Sequence, residues 1–155
     1  VGFMACALSR AQRVSGCGNA CFHTVAPKLT DAFDPAMFTG LSDDVRALDE
    51  LAESLSDTGS VSQLRTASQK FYFAGLVACI ENLCLSPHGV SSIERSARMR
   101  DMLEAPRTRQ MVAALKDNHR GLGLLFGPIA SAKSTRCVMC THLAAFLNRT
   151  GAKTA

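Results

Sequence analysis

Tryptophan is absent from this sequence, tyrosine occurs once, and aromatic residues make up only 6% of it. With so few rings, and no dense basic run for them to interleave, the basic residues read first as ordinary solvated helix faces. No run of 18 consecutive apolar residues occurs, so no transmembrane segment is expected. Internal repeats and low-complexity linkers are also missing, which leaves one helical domain over residues 1–155, with residues 1–24 as a peripheral basic arm. A hydrophobic content of 47% against 19% charge fits a folded core and excludes a disordered chain.

Acid is missing from two stretches. Residues 1–30 carry Arg10, Arg13 and Lys28 and no Asp or Glu, and no acid lies beyond Asp117. Between them, residues 31–87 hold nine acids against three basic residues, while eleven Lys or Arg against four acids follow from His88 onward. The order basic, acidic, basic suits other protein subunits as partners, with an anionic partner at the basic C-terminal third. Val1 in place of methionine reads as processing or trimming, and VGFMACALSRAQRVSG is basic and loosely amphipathic. That opening fits a mitochondrial or plastid import sequence, an ordinary first helix or a surface-lying helix. Asn148-Arg-Thr150 spells a glycosylation acceptor, which matters only after secretion. The compartment stays open between organelle and secretion.

The segment that is most strongly patterned is residues 60–85. Ser60 and Gln63 have capping-box spacing, and Leu64, Ala67, Phe71, Ala74 and Ala78 recur at threes and fours. No residue from Phe71 to Ile80 is charged, and a helix apolar all round is a buried one. The spacing predicts further helices over residues 3–14, 30–39, 42–56, 91–104, 106–121 and 135–148. In the 42–56 helix, Val45, Leu48, Leu51, Ala52 and Leu55 form the inward stripe. Asp34 and Pro35 open the 30–39 piece, Ser91 and Glu94 form a second capping box, and Gly151 closes the last helix. The glycine-rich stretch from Gly121 reads as a strand or extended loop. The fold class is all-α: a compact bundle of five to seven short-to-medium helices around a long central apolar helix.

Seven cysteines fall at Cys6 and in three clusters, each with a histidine nearby: Cys17/Cys21/His23, Cys79/Cys84/His88 and Cys137/Cys140/His142. Zinc takes four thiolate or imidazole ligands, commonly as two close pairs. Cys17 and Cys21 with Cys137 and Cys140 supply such a set, in which His142 or His23 replaces one sulfur. Alternatively, six cysteines form three disulfides, or the thiols are buried small hydrophobes. The pattern matches neither a paired C-x9-C nor a paired C-x3-C framework. No cofactor is assigned, and zinc is the one metal that the spacing suits.

Gly127-Pro-Ile-Ala-Ser-Ala-Lys133-Ser134 nearly fits G-x4-G-K-[ST]. The dozen residues LLFGPIASAKST resemble the phosphate loop of cellular thymidine kinases. The resemblance implies Lys133 on phosphate and Ser134 on a bound magnesium ion. It also implies a strand over Leu122–Phe126 and a parallel sheet. Ala132 departs from the pattern, since it puts a methyl where the second glycine lets backbone approach phosphate. The helical reading of the preceding residues departs from it as well, so the match is taken as chance.

Other catalytic pairings are poorly placed. Cys21 and His23, like Cys140 and His142, stand two apart, which on a helix turns them to different sides. Asp43-Asp44 and Asp49-Glu50 are helix neighbours that do not converge, and His119-Arg120 reads as a helix end. These observations favour a non-catalytic helical accessory or structural subunit that docks into a larger assembly. The alternatives are a cysteine/histidine metal-binding interaction module and a disulfide-stapled secreted helical effector or carrier.

Overall fold

Hydrophobic spacing, caps and breakers place six α-helices among the described residues. The computed structural model describes residues 33–54, 58–86, 90–118 and 121–149. Over these residues the protein is all-α, with α1 Met37–Glu53, α2 Thr58–Leu85, α3 Ser92–Glu104, α4 Pro106–Leu115, α5 Phe126–Ala130 and α6 Ser134–Arg149. A short 3-10 turn, Lys116–Asn118, extends α4. The expected 3–14 helix, the basic arm, the loop with Cys17, Cys21 and His23, and the Gly151 stop lie outside the described residues.

The 28-residue α2 packs against α1, α3, α4 and α6. It also meets α5 through Phe73 and Phe126, whose ring centroids lie 5.8 Å apart at 60°. That tilted arrangement sets a positive ring edge toward a negative face. The side of α2 that is buried deepest differs from the expected line. Ala67 and Ala74 are exposed, while Tyr72, Leu76, Ile80 and Leu83 are fully buried. On a helix apolar all round, large side chains take the interior and alanines are left outside, because burial scales with apolar area. α2 also starts at Thr58, so Ser60 lies inside it rather than capping it.

The polar tip of Tyr72 is satisfied within the core. Thr108 Oγ1 donates to the Met102 carbonyl at 2.7 Å and stands 2.9 Å from Tyr72 Oη. A threonine hydroxyl has one proton, so the tyrosine is the donor in the second bond. Three helix segments are thereby joined at one buried point. Nearby, Arg107 bonds Asp49 Oδ2 at 2.7 Å, and Ser68 donates to Asp49 Oδ1 at 3.0 Å, linking α4, α1 and α2.

Two expected pieces at residues 30–39 and 42–56 prove to be one helix, α1. Asp34 Oδ1 accepts from the Ala36 amide at 2.9 Å, and the helix runs on through Gly40. Gly40 donates to the Ala36 carbonyl at 2.9 Å, so this glycine does not break the helical ladder. Leu41, Val45 and Ala52 face the core. At Gly75 of α2, the Leu41 side chain fills the room that a Cβ would take, which lets α1 lie close. Asn82, buried on α2, accepts the Asp34 amide at 3.0 Å and fixes where α1 begins.

The second capping box forms as expected at its serine: Ser91 accepts from the Glu94 amide at 3.2 Å. Pro106 opens α4 at its first position, where its missing N–H costs nothing. Met111 and Leu115 of α4 are buried, as their spacing requires. The strand expected over Leu122–Phe126 does not form. Residues 121–125 make turns, with Gly121 and Gly123 at positive φ, and α5 follows at once. No strand occurs among the described residues.

Candidate interaction surface

The thiols come first among the reactive groups. Cys79, Cys84, Cys137 and Cys140 are free. A three-bridge framework needs six of the seven cysteines, and four unpaired thiols leave too few, so that expectation is corrected. Cys137 and Cys140 stand one turn apart on α6, close enough to Cys84 of α2 for the three to interact electrostatically. Burial, then the Cys140 and Cys84 thiols, push Cys137 up to about 11. Burial, then the Asp34 carboxylate, push Cys79 up to about 11 as well. Burial raises Cys84 too, against a smaller opposing effect of Arg95. Thiols held above the ordinary range are protonated at neutral pH and are poor nucleophiles.

Cys137 points into the core, Cys140 is half-buried and His142 is exposed, so these three do not converge on one point. No group of three metal-ligating side chains occurs among the described residues. The other half of the expected zinc set, Cys17 and Cys21, lies outside them.

The phosphate-loop stretch adopts a different local structure. Gly127 to Ala130 are helical within α5, and the helix ends in a Schellman motif. The Lys133 amide donates to the Pro128 carbonyl at 3.2 Å and the Ala132 amide to Ile129 at 3.0 Å. Ser131 donates to Gly127 at 3.0 Å. Three amides that a phosphate loop turns toward its ligand are thus engaged in ending a helix. Ala132 takes the left-handed position, at φ 50°, where glycine is the usual residue. Lys133 is left exposed, and Ser134 is the first residue of α6.

The outer face of α6 is the surface that sequence spacing did not single out. Cys137 and Thr141 mark its inward line, and the Thr141 hydroxyl is satisfied by the Cys137 carbonyl at 2.8 Å. On the other side, Met139, Leu143 and Phe146 are 67%, 49% and 60% exposed. They stand four and three residues apart and so form one stripe. Arg136 and His142 flank it, and α6 contains no acid. Scattered exposed apolar residues are ordinary, but three large ones in line on a helix form a contact face. The signal was present in the sequence as apolar residues lying off the Cys137–Thr141 line.

No helix among the described residues is long and apolar enough to cross a membrane. Comparison of the chain with known protein families, with curated proteins and with solved structures finds no match in any of the three.

Proposed function

We propose that this chain is a non-catalytic helical subunit that docks into a larger protein assembly through the outer face of α6. The observation that carries the reading is the exposed line Met139, Leu143 and Phe146 on a helix whose opposite side is core. An apolar stripe at this spacing is what one helix offers to another when their side chains interlock. The chemistry of the buried groups supports the non-catalytic half. The thiols Cys79, Cys84 and Cys137 are held protonated by burial, and Tyr72 is tied to Thr108 in the core. The occupant is the apolar face of another helical subunit.

Light scattering on size-exclusion fractions tests the proposal. The purified chain is expected to self-associate or to hold a stoichiometric protein partner, and Leu143→Asp with Phe146→Asp is expected to return it to a monodisperse monomer. Its melting temperature should fall little, since surface substitutions usually stay within about 0.5 kcal/mol. A wild-type chain that is already a clean monomer with no partner sinks the reading.

A further inference from the structure

Three thiols run from the surface of α6 into the core. Cys84 sits on the last turn of α2, and Cys137 and Cys140 stand one turn apart on α6, which packs directly on α2. Cys84 and Cys137 are buried in the same apolar cluster, and half-buried Cys140 packs against it. Both other thiols act on Cys137, which makes it the middle of the three. The Arg95 guanidinium of α3 acts on Cys84, and its Nε is buried with no hydrogen-bond partner among the described residues. A cation beside a thiol favours the thiolate. Cys79, by contrast, interacts with Asp34 and stands off this line. Thiol–disulfide exchange, which engages the sulfurs one pair at a time, is the chemistry that fits such a row.

We propose that Cys140, Cys137 and Cys84 form a thiol–disulfide relay, which accepts oxidising equivalents from a low-molecular-weight disulfide at Cys140 and stores them as a Cys84–Cys137 bond between α2 and α6. With glutathione disulfide as oxidant, deprotonated Cys140 attacks one of its sulfurs and releases the first glutathione. Cys137 then attacks the Cys140 sulfur and expels the second glutathione. Cys84 attacks the Cys137 sulfur in turn and expels Cys140 as a thiolate, which takes up a proton. Two protein thiols are thereby oxidised to one disulfide, one glutathione disulfide is reduced to two glutathiones, and Cys140 ends free. The entry point suits the oxidant, which is anionic: Arg136 lies one turn from Cys140 on the same face, and α6 contains no acid. Burial of Cys84 and Cys137 bars direct attack on them, so the half-buried thiol is needed as the way in. The same burial, which holds both thiols protonated, makes them poor leaving groups, and the finished bond resists reduction.

The test incubates the reduced full-length chain with glutathione disulfide under native conditions. The protein is then denatured in one alkylating reagent, reduced, and treated with a second, and peptide fragmentation assigns each label. Cys140 and Cys79 are expected to carry the first label, and Cys84 and Cys137 only the second. The oxidised chain should melt several degrees higher than the reduced one and lose that gain in dithiothreitol, because the bond closes a long loop. Cys140→Ser should slow formation of the bond about tenfold or more. Cys137→Ser should stop the reaction with glutathione on Cys140 and no link to α2. Melting temperatures of the reduced variants show that each folds, and the Cys140→Ser result stands alone if Cys137→Ser does not. First label at all four cysteines overturns the proposal. So does a Cys137–Cys140 bond as the end product, a bond from Cys84 to Cys6, Cys17 or Cys21, or an unchanged rate in Cys140→Ser.

Discussion

α2 and α6 are both apolar on more than one side, yet one is enclosed and the other is half bare. α2 is surrounded by α1, α3, α4 and α6, with Phe126 of α5 against Phe73, so its Tyr72, Leu76, Ile80 and Leu83 reach no water. α6 packs on α2, α3 and α5, and leaves Met139, Leu143 and Phe146 outside. The difference follows how many neighbours each helix has. An all-round apolar helix is buried only when the rest of the domain supplies a full ring of partners. Where the ring is incomplete, the surplus apolar face becomes a surface for something else.

Truncation measures that contrast most directly. Leu76→Ala in α2 should cost about 2–5 kcal/mol, as core leucine truncations do. Phe146→Ala in α6 should change stability by about 0.5 kcal/mol or less. Urea unfolding of both variants gives the comparison, and a cost at Phe146 equal to that at Leu76 would mean that the α6 face is covered, which breaks the contrast. A smaller effect is expected where α5 hands over to α6. Ala132→Gly should stabilise the fold by up to about 1 kcal/mol, since a left-handed alanine is strained and glycine is not. The same change spells G-K-S, yet magnesium and ATP should shift the melting temperature of neither protein, because the amides stay engaged.

The smallest effect concerns Glu81, the one acid in the second half of α2. Burial raises its carboxyl above the ordinary value. The folded chain therefore holds that proton more tightly than the unfolded chain does. Its contribution is full below the unfolded pKa and is lost as pH rises through the folded one. Glu81→Gln should then be slightly more stable than wild type at pH 7.5 and equal to it near pH 4. Thermal melts of the pair across that range check the sign, and a gap that widens toward acid would show that Glu81 is stabilised as an anion.

The helices were largely legible because their signals are local. Pro106, the Ser91 cap and the Met111–Leu115 spacing act within a turn or two of themselves. The buried side of α2 was not, because Ala67 and Ala74 keep the same period as Tyr72 and Leu76, and side-chain size together with the Thr108 acceptor decides between them. The strand expected over residues 122–126 failed for a related reason. Short apolar runs suit a buried helix as well as a strand, and Phe126 is used as a core anchor rather than as an edge residue. Of the site, the basic charge of the C-terminal third was visible. The α6 stripe was hidden because its apolar residues look like the other half of a core helix.

The Tyr72–Thr108 bond has a practical reach beyond holding three segments together. The chain has no tryptophan and a single tyrosine, and that ring is fully enclosed where α2, α3 and α4 meet. Tyrosine emission from this protein therefore originates at one side chain in its interior. Any event that loosens that junction, whether partner binding, heat or a distant substitution, reports itself optically without a label, from a position that nature placed in the middle of the molecule.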